Sequence, residues 1–160
     1  MSEKVDDKRL RASAIGEDLS EQECQILAGI MGVRHLHDGE MLVAEGQADN
    51  TLFILIDGKL AVTGNVLGQE IVVYTMKVGE CAGTRAFVDR TPRKATLRAV
   101  GPATVYTMKP DAFESLLDKH PHIVYGVMRA LFRITHANLM RMNQESQELV
   151  NYVSKIRGRY

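Results

Sequence analysis

The chain of 160 residues carries no net charge, its twenty Lys and Arg being matched by twenty Asp and Glu. Composition therefore supplies no bulk attraction toward nucleic acid or a membrane surface. Its two cysteines, Cys24 and Cys81, exclude a disulfide framework and fit a reducing compartment. No apolar run approaches the ~20 residues of a membrane-spanning helix. The charged stretch from Met1 to Arg11 lacks the apolar core of a secretory signal. Internal repeats and low-complexity tracts are also missing, while the absence of tryptophan decides nothing. What remains is 45% hydrophobic and 25% charged, the composition of one ordinary globular domain with a real core. The expected setting is cytoplasmic, with no membrane partner.

Catalytic constellations are scarce as well. His35 and His37 share one face of a strand and could make half a metal site. Cupin enzymes use such a pair with a glutamate and a later histidine. Here Glu40 lies too close to His37, and no histidine occurs between His37 and His120. No local motif suggests a Ser/His/Asp or Cys/His triad. The expectation is a protein that is not an enzyme and holds no metal or cofactor.

Residues 1–18 mix charges with few apolar side chains and are expected to fray as a flexible segment. Ser20 with Glu23 forms a capping box, and Leu19, Ile26, Leu27 and Ile30 follow at helical spacing, predicting a helix from about Glu21 to Met31. Short strands then alternate with turn signals: Val33–His37, Met41–Ala44, Thr51–Ile56, Lys59–Thr63, Gln69–Lys77, Thr96–Val100 and Thr104–Met108. Asp57-Gly58 reads as a hairpin turn and Gly101-Pro102 as another turn. Such a series predicts an antiparallel sandwich or barrel. Pro110 opens a short helix to about Lys119, and Pro121 opens a long one.

The chemistry is concentrated between Val78 and Ala99. Glycines there allow sharp turns and close backbone approach to a ligand. A one-turn helix start offers free N–H groups to an anion, and Arg93 after Pro92 can add a planar fork of donors. Gly79-Glu80-Cys81-Ala82-Gly83-Thr84-Arg85-Ala86, followed by Pro92-Arg93-Lys94-Ala95-Thr96, resembles the phosphate-binding cassette of cyclic nucleotide-binding domains. That is the family of the catabolite activator protein and the regulatory subunits of protein kinase A. Its usual pattern is G-[DE]-x-x-G-E-x-A and then P-R-x-A-T.

The resemblance covers roughly Leu19 to Asn143. It implies an α+β, mainly β fold: an antiparallel β-roll or jelly-roll barrel of about eight strands, with an N-terminal helix, a short cassette helix and a long C-terminal dimerisation helix. The domain would span 19–143, overlapping a C-terminal helix of 121–157. It also implies a ligand, cAMP before cGMP, held by Gly83, Thr84, Arg85, Ala86, Arg93, Lys94 and Ala95. Val62 and Val73 fall where the family's strands contact the base, and Asn138 where its long helix reads the base edge. Thr84 stands where the family has the glutamate that holds the ribose 2′-hydroxyl. A carboxylate there is worth roughly 1.5–3 kcal/mol and a hydroxyl about 1 kcal/mol or less, so a cyclic nucleotide is weakened by roughly tenfold or more. Arg85 and Lys94 are cationic where small or apolar residues are common.

The last helix carries two stripes. Val124, Val127, Leu131 and Ile134, ending at Asn138, face the sheet. Met128, Phe132, Thr135, Leu139, Met142, Ser146, Leu149, Val153 and Ile156 repeat at heptad spacing and predict a homodimeric coiled coil. The chain ends soon after, without the length of a helix-turn-helix. DNA binding by this chain alone is not expected, and a signal would pass to an unknown output protein. The alternative is a degenerate member of the family, acting as a dimeric interaction module or taking a different anionic ligand.

Overall fold

The computed structural model describes residues 3–158. Five helices and six strands follow in the order α1 (Asp7–Arg11), α2 (Glu21–Ala28), β1 (Gly32–Leu36), β2 (Met41–Val43), β3 (Leu52–Val66), β4 (Gln69–Met76), β5 (Cys81–Ala82), α3 (Thr84–Asp89), β6 (Thr96–Met108), α4 (Pro110–Glu114) and α5 (Pro121–Arg157). The strands form one antiparallel sheet in the order β1-β6-β3-β4, with β2 also on β6 and β5 also on β3.

The sheet has six strands where about eight were expected, because two predicted turns do not reverse the chain. Asp57-Gly58 lies inside the 15-residue strand β3. On both sides of it β3 pairs with β6, and the register slips between Leu55, Asp57 and Lys59. Gly58 adopts a left-handed φ of 84°, and a Cβ there would come within 2.9 Å of the Ala103 Cα. The dipeptide thus makes a bulge rather than a hairpin. Gly101-Pro102 is likewise absorbed into β6, with the Gly101 N–H donating to Asp38 at 2.8 Å. The reversal between β3 and β4 sits at Leu67-Gly68, both in the left-handed region, as a tight hairpin requires.

Of the segment expected to fray, Met1 and Ser2 lie outside the described residues, and the rest contains a capped helix and two buried anchors. The Asp6 carboxylate caps α1 by accepting from the Lys8 N–H. Leu10 and Ile15 are fully buried, and the Ala14 N–H donates to the Gly79 carbonyl at 2.9 Å. Two apolar anchors suffice to dock a segment that composition marks as polar. Helix α2 has both halves of its capping box, Ser20 Oγ accepting from the Glu23 N–H and Glu23 from the Ser20 N–H. It ends at Ala28 rather than Met31, since Ile30 and Met31 donate to carbonyls three residues back. Helix α4 ends at Glu114 and closes in the same tight turns, where a helix to Lys119 was expected.

Strand alternation divides the core in two. Leu52, Ile54 and Ile56 pack with Leu10, Leu27, Phe113, Ile123, Val127 and Leu131 beneath the helices. Phe53, Leu55 and Leu60 pack with Leu36, Leu97 and Val105 on the other face. Buried on both faces, β3 is the axis of the molecule. Its first residues anchor α5 on one side and hold the ground under Arg93 on the other.

Candidate functional site

The cassette begins with a conformational requirement. Gly83, at φ 85°, caps the six-residue helix α3. A Cβ on it would overlap Nη1 of Arg93 and lie 3.1 Å from the Thr51 carbonyl oxygen. The glycine is there so that a guanidinium can lie against the backbone.

Arg93 itself is only 5% exposed. Its backbone N–H donates to the Gln47 carbonyl at 2.9 Å, and its own carbonyl accepts from Gly46 at 2.8 Å. Its Nη2 donates to the Thr51 carbonyl at 2.5 Å and lies 3.8 Å from Asp49 Oδ1. Its Cζ stands 5.2 Å from the centre of the Phe53 ring. Nε and Nη1 are buried without a partner among the described residues. Burial pushes the guanidinium pKa down, against the opposing charge of Asp49. Burial also raises the Asp49 carboxyl, but two hydrogen bonds from Thr51 and the charges of Arg93 and Arg34 outweigh it and hold it below the usual carboxylate range. Each unmet buried donor costs ~1–3 kcal/mol, which an anion at this spot would recover.

Around Arg93 lies a cavity of about 690 Å³. The structure brings all ten sequence-predicted site residues to its wall: Gly83, Thr84, Arg85 and Ala86 from the start of α3; Arg93, Lys94 and Ala95 from the cassette end; Val62 and Val73 from β3 and β4; and Asn138 from α5. Val62 is half-buried, packed on the second core cluster with Tyr74, whereas Val73 is exposed.

Four further charged or aromatic residues of this wall escaped sequence reasoning: Tyr74, Glu80, Arg141 and Glu145. The Tyr74 hydroxyl donates to the Glu80 carboxylate at 2.7 and 2.9 Å. Arg141 Cζ stands 4.8 Å over the Tyr74 ring and its Nε lies 3.9 Å from Glu145. The hydrogen bond to Glu80 and burial raise the Tyr74 pKa, with Arg141 opposing. Arg141 sits three residues beyond Asn138, so the helical period could have found it. Nothing in the sequence marks Tyr74. Glu80 lies within the cassette motif, but its partner Tyr74 is brought to it only by the fold.

Cys81 also lines the cavity. Burial, with Glu80 adding, pushes its thiol up to about 12, so it is not a thiolate nucleophile near neutrality. Among the described residues no group of three or more His, Cys, Asp or Glu is placed to hold a metal ion. No helix among them is long and apolar enough to cross a membrane.

Comparison with known proteins meets this geometry from outside. Residues 33–120 match the family of the cyclic nucleotide-binding domain. A cAMP-dependent protein kinase regulatory subunit of Yarrowia lipolytica is 31% identical over 108 residues, covering 68% of this chain and 28% of that protein. A cGMP-dependent protein kinase of Eimeria tenella is 28% identical over 109 residues, covering 68% of this chain and 10% of that protein. The chain thus spans less than a third of the length of such relatives. A solved cyclic nucleotide-binding domain from Methylobacillus flagellatus superimposes with a TM-score of 0.82 at 19% identity, covering 91% of this chain and 86% of that one. The catabolite activator protein of Thermus thermophilus gives 0.71 at 19% identity, covering 84% and 63%. These structural likenesses concern the fold. With the cassette, the buried arginine and the family match together, the chain belongs to the cyclic nucleotide-binding domain family.

Proposed function

We propose that the chain is a sensor that takes a cyclic nucleotide in the cavity beside Arg93 and passes the signal to a partner protein through α5. The observation that carries this reading is the pair of buried, unpartnered donors on Arg93, Nε and Nη1, at the wall of an open cavity. A singly charged phosphodiester meets both needs, charge and hydrogen bonds. Gly83 and Ala86 flank the phosphate, Thr84 lies beside the ribose, Val62 and Val73 flank the base, and Asn138 approaches its edge from α5. Among mononucleotides cAMP comes before cGMP, following the cAMP-dependent relatives; the domain is regulatory, without chemistry of its own.

Titration calorimetry with cAMP and cGMP tests the reading. Loss of a hydrogen bond to a charged group is worth roughly 1.5–3 kcal/mol, so Arg93→Ala weakens binding about ten- to 150-fold. Thr84→Glu strengthens a mononucleotide by adding a carboxylate beside the ribose. Absence of both heat and a melting shift with either nucleotide at millimolar concentration would sink it.

A specific observation favours a second role beside sensing. Phe132, Leu139, Met142, Leu149, Val153 and Ile156, at heptad spacing on α5, are all exposed, from 41% at Ile156 to 73% at Phe132. A second copy of this chain offers the same stripe, and the two helices pair as a coiled coil.

A further inference from the structure

The charged groups around the cavity are not equally answered. Glu80 accepts from the Tyr74 hydroxyl. Arg141 has the Tyr74 ring and Glu145. Arg93 has the Thr51 carbonyl and Asp49, with Nε and Nη1 left for one phosphodiester. Arg85 and Lys94 also line the cavity. Both are exposed, and neither makes an ion pair with another described residue. The first turn of α3 carries no acidic residue to neutralise them. Thr84, between Gly83 and Arg85, presents a hydroxyl that can donate to an anion where a carboxylate would repel one. Once a singly charged ligand has satisfied Arg93, two cations and a hydroxyl donor remain on the same wall.

We propose that the site takes a nucleotide with two phosphodiester groups, one on Arg93 and the second on Arg85, Lys94 and Thr84. This rests on the reading that Arg93 holds a cyclic phosphodiester, and it names the class of that ligand: a ring-closed dinucleotide. The cavity, at about 690 Å³, stands well above the ~300 Å³ lower end of small-molecule sites. Arg85 and Lys94 line it while remaining exposed, so both can meet a ligand that extends outward from Arg93. Binding of the dianion gains from charge-assisted bonds that a mononucleotide cannot make, and it is the more sensitive to salt.

The test is calorimetry on the full chain with cAMP, cGMP, cyclic di-AMP and cyclic di-GMP, at low and physiological salt. One dinucleotide is expected to bind about tenfold or more tighter than the better mononucleotide, with the steeper loss on adding salt. In the double variant Arg85→Gln/Lys94→Gln the dinucleotide-to-mononucleotide affinity ratio falls toward one. Thr84→Glu provides a readout of opposite sign for the two classes: it strengthens cAMP and weakens the dinucleotide. If cAMP or cGMP binds as tightly as both dinucleotides, or if Arg85→Gln/Lys94→Gln leaves the ratio unchanged, the two-phosphate proposal is overturned and the phosphodiester reading stands. If none of the four binds, both fall together.

Discussion

Taking a guanidinium out of water is costly unless its donors are met, and of the Arg93 guanidinium only Nη2 has a hydrogen-bond partner among the described residues. Asp49 lowers that cost, and the Thr51 N–H and hydroxyl in turn hold its carboxylate at 2.9 and 2.7 Å. The charge of Asp49 therefore belongs to the folded state. Its pKa in the fold lies below its ordinary value, so the unfolded chain binds the proton more readily. The stability this contributes is fully present above the unfolded carboxyl pKa of about 4 and is lost as pH falls through the lower folded value. Asp49→Asn should lower the melting temperature at neutral pH and flatten its decline between about pH 5 and the acid limit. A parallel decline in both proteins would show that Asp49 does not carry the effect. The same substitution leaves Arg93 less firmly placed, so it should also weaken nucleotide binding, by less than Arg93→Ala does.

Among the elements, the two long strands explain what could and could not be read from the chain. The cassette was legible because its parts are contiguous: glycines, a one-turn helix and Pro-Arg within twenty-odd residues act through backbone requirements that residue types announce. The stripe on α5 was legible because helical period is local. Asp57-Gly58 misled for the opposite reason. The dipeptide permits a left-handed residue, but whether the chain then reverses or only bends depends on the next strand. Here β6 pairs on both sides of it. Leu10 and Ile15 were likewise invisible among charges until α2, β3 and α5 were there to cover them. Tyr74 and Glu80 are six residues apart and joined only by the fold. The bulge has a measurable consequence. Gly58→Ala meets both a left-handed φ and the backbone of Pro102 and Ala103, so it should cost about 1–3 kcal/mol and several degrees of melting temperature. A hairpin turn exposed to solvent would have tolerated the change better, and a loss below one degree would argue against the bulge.

At the scale of the whole molecule, α5 runs from the core past the cavity to an exposed apolar stripe, so on the proposed reading it would couple ligand binding to dimerisation. Its first turns are fixed in the core through Ile123, Val127 and Leu131. Its middle, at Asn138, Arg141 and Glu145, forms one wall of the cavity. From Leu139 onward its apolar stripe is exposed, with Met142 also reaching the cavity. A ligand that draws Asn138 and Arg141 toward the cassette must shift the same rod that carries Leu139 and Leu149, and a second copy bound to that stripe must restrain Asn138 in return. Binding free energies coupled through one element are reciprocal. The wild-type chain is expected to dimerise by burying this stripe, at roughly 25 cal/mol per Å² of apolar surface. Leu139→Asp with Leu149→Asp places charges in the seam without touching the buried residues of α5. It should yield a monomer by light scattering with an unchanged far-ultraviolet spectrum near the sheet's signature and a retained cooperative melt. That monomer should bind cAMP differently from the dimer, and saturating nucleotide should change the dimer's dissociation constant by the same factor. A dimer that persists in the double variant places the interface elsewhere. A true monomer with wild-type affinity separates the two events, leaving α5 as a wall of the cavity and no more than that.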